Sequence, residues 1–352
     1  MTDFQQPYNA LYKKREFGLC KMFKRTMKFI LPSYLFKARL SVKNNYRLVV
    51  QYAYDAAVYI RFNGSKVSMG SRQLEVKIIA HYHVLEKGMS HPTPKQCFSL
   101  PIVKSLIALV TEYDSLTSMR SGQVQVAVSA LRNYSYFASN ATCLSDRLKQ
   151  QIEALYLPTN FTAGSLFLSR DDFFRNSQST FSKLSKSRYT VRDFSSEDVD
   201  LDLLKTAIDI SLKTPSVCNR QTCRVYILTS SKDIANHLSF QTGNRGFGDK
   251  INKLLIITSD LNLFQGDKER NQPFVDGGMF AMSLLYAIHS LKIAATPLNW
   301  SYDKNQDVGL HALGIIPEHE KVIMFIGVGY PPEFFRVAMS TRRGLEEVVT
   351  II

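Results

Sequence analysis

Two arginines and a threonine alternate along the stretch Ser187–Phe194, which reads SRYTVRDF. Residues two apart project from the same face of an extended strand, so Arg188, Thr190 and Arg192 are expected to point in one direction. Two guanidinium groups and a hydroxyl on one face suit a phosphorylated, carbonyl-rich ligand. A solvated basic turn is the alternative, because serines and then apolar residues at helical spacing follow this stretch and predict a helix.

Four loops in the C-terminal half combine polar side chains with glycine or proline. They are residues 214–222, 242–248, 296–300 and 327–332. In the first loop, Ser216, Asn219 and Gln221 offer hydroxyl and amide groups that suit the imide edge of a heterocycle. The last loop contains GVG, which is not the GxGxxG of a dinucleotide-binding fold, so a Rossmann site is disfavoured.

A second polar cluster lies earlier in the chain, where His81, His83, Glu86, Lys87 and His91 fall within eleven residues. On a helix, His83 shares a face with Glu86 or Lys87, while His81 points elsewhere. This spacing does not supply the three or four convergent ligands of a metal site. The two interpretations that stay open are a helix end with favourably placed His and Lys, and a polar ligand site of unknown kind.

The predicted secondary structure changes in character along the chain. Residues 1–48 form a basic arm, and residues 49–156 show apolar residues at helical spacing throughout, which predicts an all-helical region. Residues 157–186 are rich in Ser, Thr and Asn and are interpreted as a linker. Residues 187–352 alternate helices with short apolar strands, which predicts an α+β or α/β layered domain. Strands are predicted at 223–229, 253–260, 293–300 and 322–330, and helices at 201–214 and 277–291.

Composition and charge exclude several classes of protein. The chain has 352 residues, 45% of them hydrophobic, and no apolar run long enough to span a membrane or to resemble a signal peptide. The net charge is +14, and residues 1–50 carry eleven lysines and arginines against two carboxylates. This arm, with its interleaved aromatics, predicts peripheral contact with an anionic membrane or packing on the protein itself. No motif supports nucleic-acid binding.

The five cysteines show no paired spacing, so reduced thiols, no metal site and a cytoplasmic location are expected.

Taken together, the C-terminal half resembles the nitroreductase family, whose α+β fold has a central mixed sheet flanked by helices and binds FMN at a homodimer interface. The family's R-R/H-S-x-R/K-x-F motif is matched by Arg188–Phe194, and its P-S-x-x-N-x-Q-P-W motif by Pro215–Cys223. Further matches are Pro297–Trp300, Gly329–Pro331 and the pair Arg342 and Arg343. The helical region before it is similar to an extension, with an H-x-x-E-K-G segment, of nitroreductase-like proteins near surface-polysaccharide genes.

The resemblance implies a set of cofactor-binding residues. Arg188 and Thr190 would hold the FMN phosphate and ribityl chain, and Arg342 or Arg343 would complete the clamp. Arg192 would face the N1/O2 edge of the flavin, where a cation favours the reduced form. The other implied contacts are Tyr189, Pro215, Ser216, Val217, Asn219, Asn244, Pro297, Leu298 and Asn299.

The function implied is an FMN-dependent oxidoreductase that takes hydride from NAD(P)H and reduces an unidentified small-molecule acceptor, with a link to surface-polysaccharide biosynthesis. No side chain needs to act as an acid or base, because the flavin carries the chemistry. The open alternative is a catalytically degenerate flavin-fold protein that serves as an assembly partner at the membrane surface. In either case, the resemblance implies a homodimer.

Overall fold

The structure is a computed structural model that describes residues 33–62, 70–95, 97–138, 144–156 and 161–352. These residues divide into two compact units. The first unit contains helix α1 (Ser33–Phe62) and residues 265–270. Within it, Arg270 Nε and Nη2 donate to the two carboxylate oxygens of Asp55 at 2.7 Å each, and Arg47 lies 3.6 Å from Asp267. Of the predicted basic arm, residues 33–48 form the first half of α1, and residues 1–32 lie outside the described residues.

The second unit begins with four helices, α2 (Ser71–Met89), α3 (Leu100–Leu116), α4 (Gly122–Phe137) and α5 (Asp146–Glu153). Serine caps start two of them: Ser121 Oγ accepts from the Val124 N–H at 3.4 Å, and Ser145 Oγ from the Leu148 N–H at 3.3 Å. The apolar stripes of all four helices meet in one core that extends from Leu74 to Ala163. The helical N-terminal region predicted from residue spacing is therefore confirmed.

A two-stranded ribbon follows the helices. Strand β1 (Ser165–Ser169) lies within the segment assigned to a linker, and it pairs in antiparallel fashion with β6 (Phe334–Ala338) near the C-terminus. The short helices α6 (Arg170–Phe174) and α7 (Phe181–Ser187) lead from this ribbon to the arginine-rich stretch. The ribbon therefore places residues 165–169, which follow the helical region, beside residues 334–338 near the C-terminus.

The main sheet has four strands in the order β2 (Cys223–Leu228), β3 (Lys253–Asp260), β5 (Glu320–Gly329) and β4 (Ala294–Asn299). Both faces are covered, because Leu254 and Ile256 of β3 point into one core while Leu255 and Ile257 point into the other. Helices α8 (Leu201–Ser211) and α10 (Gln272–Ser290) cover the second face, and α9 (Ser231–Leu238) and α11 (Lys304–His311) pack on the first. The last helix is α12 (Leu345–Val348).

The α+β class is confirmed, and each predicted strand of the main sheet is present. The strand pairs differ from the expected mixed sheet, because all those between described strands are antiparallel. Helix α10 begins at Gln272, before the predicted start at residue 277, and its apolar side chains Phe274, Val275 and Met279 are exposed. The expectation that every thiol is reduced is wrong for Cys97, which is disulfide-bonded, whereas Cys218 and Cys223 are free. Among the described residues, no helix has the length and apolar character that crossing a membrane requires.

Candidate functional site

The stretch Arg188–Arg192 runs beside the edge strand β4. Arg188 ends helix α7 in an extended conformation, and the Val191 N–H donates to the Ala295 carbonyl at 3.1 Å. Val191 is fully buried, so it anchors the stretch to the sheet and leaves its polar neighbours free to face a ligand.

A cavity of about 510 Å³ opens beside this stretch. Arg188, Tyr189 and Thr190 line one side, and the segment from Met339 to Arg342 lines another. One guanidinium nitrogen of Arg188, Nη1, is buried and has no hydrogen-bond partner among the described residues. Burial lowers the pKa of Arg188, and the positive charge of Arg342 acts in the same direction. Two guanidinium groups that repel each other across a cavity are stabilised by an anion placed between them.

Arg342 and Arg343, which the sequence could not distinguish, have different surroundings. Arg342 lines the cavity. Arg343 instead forms ion pairs with Glu75, at 2.7 Å, and with Glu347, at 2.8 Å. Arg342 is therefore the arginine that joins Arg188 at the candidate anion site, and Arg343 has its charge balanced elsewhere.

Arg192 is separate from this cavity and is largely buried. Burial lowers its pKa to about 10, while the carboxylate of Glu86 acts in the opposite direction. Its Nη1 atom has no hydrogen-bond partner among the described residues, which is also true of Glu86 Oε2. Burial lowers the pKa of Lys87 as well, and Arg192 contributes to that shift. The Glu86–Lys87 end of helix α2 is thus electrostatically coupled to a predicted flavin-binding residue.

The loop after helix α8 lies against helix α10. Pro215 and Ser216 line a small cavity of about 40 Å³ together with Asp276. The Val217 N–H donates to Asp276 Oδ2 at 3.1 Å, which fixes the loop to α10. Asn219 is exposed and has a left-handed backbone with φ 53°, as do Cys218 and Gln221 with φ 50° and 52°. Left-handed non-glycine residues are costly and cluster at functional sites, so this loop stays a candidate.

Asn244 and the end of strand β4 form a third group. Asn244 lines a groove of about 440 Å³ with Gln241 and Arg245. Gln241 Nε2 donates to the Asn299 carbonyl at 2.6 Å, which holds this loop against the strand end. Leu298 is buried and Pro297 lies within the β4–β5 ladder, so only their backbone is suited to meet a ligand.

One chain therefore brings some predicted site residues together and leaves others apart. Arg188, Tyr189, Thr190 and Arg342 share a cavity, whereas Pro215 with Ser216, and Asn244, line two different ones. Tyr286 and residues 339–341 also line the cavity, and neither was predicted from the sequence. No local signal could have found them, because Tyr286 lies in an apolar helix and residues 339–341 carry no motif.

Comparisons with known proteins complete the description of the site. A family model described as Nitroreductase family matches residues 185–330, which include the stretch Arg188–Arg192, the 214–222 loop and Asn244. No curated protein is significantly similar to this chain.

Among solved structures, a nitroreductase family protein from Streptococcus pneumoniae TIGR4 is 17% identical, covering 49% of this chain and 100% of its own, with a TM-score of 0.44. A nitroreductase family protein from Clostridium difficile 630 is 17% identical and covers 49% of this chain and 97% of its own, with a TM-score of 0.40. An FMN-dependent nitroreductase from Clostridium difficile R20291 is 18% identical and covers 43% of this chain and 87% of its own, with a TM-score of 0.38. The helical region before residue 185 lies outside the family match, and it is residues 185–330 that are similar to the Nitroreductase family.

Proposed function

We propose that this protein is an FMN-dependent oxidoreductase that takes hydride from NAD(P)H and reduces a small-molecule acceptor. The observation that carries the proposal is the cavity shared by Arg188, Thr190 and Arg342 in a nitroreductase-family domain. The buried, unpaired Nη1 of Arg188 requires an acceptor, and a phosphate oxygen is a suitable one.

The chain would contribute binding and electrostatics. Arg188, Thr190 and Arg342 would hold the phosphate, Tyr189 would flank it, and Arg192 would stabilise negative charge at the pyrimidine edge of the flavin. The β4 segment 297–299 would approach the reactive edge. When bound, FMN supplies the hydride and electron transfer chemistry. Burial of Arg192 strengthens its electrostatic effect, since a charge in a low-dielectric environment is screened less.

We also propose a homodimer. Pro215 and Ser216, in the same loop as Val217 and Asn219, line a cavity apart from Arg188, so a flavin held by both sets would take one of them from a second protomer. A C₂ dimer would satisfy this twice, because each protomer would give its loop to the other.

Two finer parts of the proposal rest on the sequence. Residues 1–48 are proposed to bring the protein to an anionic membrane surface, which a salt-sensitive loss of liposome binding on their deletion would test. The link to surface-polysaccharide biosynthesis rests on the resemblance of the H-x-x-E-K-G segment and stays a prediction.

The test is flavin binding and reduction by the purified full chain. The wild-type protein should bind FMN, and NADH or NADPH should bleach the flavin absorbance under anaerobic conditions. Arg188→Ala and Arg342→Ala should each weaken FMN binding by about ten- to a hundredfold, since a charge-assisted hydrogen bond contributes roughly 1.5–3 kcal/mol. Arg336→Ala is the matched control, because Arg336 stacks on Phe167 and does not line the cavity.

The outcomes separate the hypotheses. A wild-type chain that binds no FMN would overturn the proposed cofactor. A chain that binds FMN without reduction by either nicotinamide would favour the catalytically degenerate flavin-fold protein. Equal FMN affinity in the arginine variants and in the Arg336 control would remove the assignment of the phosphate site.

A further inference from the structure

Helix α2 of the helical region is linked to one wall of the cavity at three points. That wall is the segment Met339–Arg343, here called the anion loop. The first link is the ion pair at 2.7 Å between Glu75 Oε1 and Arg343 Nη2. Since Glu75 is mostly buried and Arg343 is adjacent to Arg342, this pair fixes the backbone next to the arginine that lines the cavity.

The second link runs through helix α4. The Tyr82 hydroxyl donates to Gln123 Oε1 at 2.5 Å, and Gln123 Nε2 donates to the Thr341 carbonyl at 3.4 Å. Tyr82 and Gln123 are both buried, so these groups cannot exchange their partners for water. The Thr341 hydroxyl adds a bond to the Thr162 carbonyl at 2.7 Å.

The third link passes through the residue before strand β1. Glu86 Oε1 accepts from the Gly164 N–H at 3.1 Å, and the Gly164 carbonyl accepts from the Met339 N–H at 3.0 Å. Glu86 is fully buried, and a buried carboxylate is costly unless its hydrogen bonds are retained. The spacing of Glu75, Tyr82 and Glu86 places all three on one face of α2, beside the apolar stripe that enters the helical core.

The anion loop itself has a conformation that needs support. Ser340 has a left-handed backbone with φ 48°, which a serine adopts only at an energetic cost. Arg342 Nη1 donates to the Ser340 carbonyl at 2.6 Å, so the position of this guanidinium depends on that conformation. Contacts from outside the loop are therefore needed to keep Arg342 in the cavity wall.

We propose that helix α2 is a positioning element of the anion site, in which Glu75, Tyr82 and Glu86 hold the anion loop so that Arg342 and Arg188 can bind one phosphate together. This inference rests on the proposed function, since it assigns the phosphate to FMN. It gives the helical region, which lies outside the match to the Nitroreductase family, a part in cofactor binding.

The experiment compares FMN with riboflavin, which has the same ring system and no phosphate. Affinities of both ligands are measured by fluorescence quenching on full-length Glu75→Gln and Tyr82→Phe chains freed of flavin. Both variants should bind FMN about three- to tenfold more weakly, the effect of one hydrogen bond or ion pair, and should bind riboflavin as the wild type does. The ratio of the two affinities isolates the phosphate from any general change in the fold.

Two controls match these variants. Tyr134→Phe removes a buried tyrosine hydroxyl that donates to the Phe98 carbonyl at 2.6 Å within the same helical core. Asp114→Asn breaks the ion pair of Asp114 with Arg120 in the helical region. Neither residue contacts the anion loop, so both controls should keep the wild-type ratio of affinities.

Three results would overturn the inference: an unchanged ratio in folded Glu75→Gln and Tyr82→Phe chains, an equal loss of both ligands, or the same loss in the controls. A wild-type chain that binds neither ligand would instead refute the proposed function, so the two failures are distinguishable.

Discussion

At the scale of single residues, His289 is a buried titratable neighbour of Arg188 at the candidate phosphate site. It is buried on helix α10, its Nε2 lies 3.0 Å from Ser187 Oγ, and its ring contacts Phe173 and Phe174. Burial, with a contribution from the charge of Arg188, lowers its pKa to about 4. The imidazole is therefore neutral in the folded protein at physiological pH.

We predict that this histidine makes the protein sensitive to acid. The folded pKa lies below the ordinary value of 6.5, so the unfolded chain binds more protons as the pH falls. The contribution to stability is complete above about pH 6.5 and is lost progressively toward pH 4, by on the order of 3 kcal/mol. Melting temperatures of wild type and His289→Gln between pH 8 and 4 measure this effect.

The expected result is a flatter melting profile for His289→Gln, with convergence toward wild type at low pH. His319→Gln, which changes an exposed histidine, is the control and should retain the wild-type profile. Parallel profiles for wild type and His289→Gln would show that another group causes the acid sensitivity.

Residue types in the sequence singled out the stretch Arg188–Arg192 as a candidate ligand-binding segment. They could not predict which residues from distant parts of the sequence would lie beside it. Arg188, Thr190 and one of the terminal arginines were expected together, and Arg342 lines the cavity that Arg188 and Thr190 also line. The choice between Arg342 and Arg343 depends on Glu75, which lies in a different region of the sequence. The electrostatic coupling of Glu86 and Lys87 to Arg192 could not be predicted either, because residue spacing within one helix does not show what packs against that helix.

At the scale of elements, the close packing at the end of helix α2 is set by a glycine. A Cβ added to Gly88 would lie 2.0 Å from the Phe98 ring, so this position has no room for a methyl group. The contact holds the turn that follows Glu86 and Lys87 against helix α4, because Phe98 also packs on Tyr134.

Gly88→Ala is predicted to destabilise the protein by about 1–3 kcal/mol, the usual effect of overpacking, although alanine favours helix more than glycine does. Chemical denaturation measures the change in the free energy of unfolding. Combining Gly88→Ala with Phe98→Leu should recover part of the loss, since the smaller side chain leaves room for the methyl group. If the double variant is no more stable than the sum of the two single changes predicts, steric conflict with Phe98 is not the cause.

The elements of the main sheet could be predicted because each is a short apolar run between turn residues. Strand β3 is an example, with its seven residues from Lys253 to Ser259 all buried. Strand β1 could not be predicted, because the sequence SLFLS is short, lies in a polar segment and pairs with residues near the C-terminus. The antiparallel direction of the strand pairs could not be predicted from local sequence patterns either, because it depends on which strands become neighbours in the sheet.

At the scale of the whole molecule, the exposed face of helix α10 is where we expect two copies of the chain to meet. Phe274, Val275 and Met279 are exposed apolar side chains there, and they adjoin Asp276, which holds the 214–222 loop. Burial of such a patch is favourable by about 25 cal/mol per Å² of apolar area. Interfaces of homodimers are accordingly more apolar than the remaining surface.

Val275→Arg is predicted to convert the proposed dimer to a monomer and to reduce FMN retention, because the charge would be desolvated in the interface. Light scattering gives the mass, and absorbance gives the flavin content. Val308→Arg, at another exposed valine on helix α11, should leave both unchanged. A wild-type protein that has the mass of a monomer with flavin bound would contradict the proposed dimer.

The pairing of β1 with β6 has a consequence for the order of folding. Among the described residues, those that build the helical core lie between 74 and 163, so its contacts are local in sequence and can form early, including during synthesis from the N-terminus. The ribbon of β1 and β6 instead cannot form until residues 334–338 are available to pair with β1. The anion loop follows directly after these residues in the sequence. The cavity that we assign to the cofactor phosphate is therefore expected to be among the last parts of the chain to form, on a helical scaffold assembled before it.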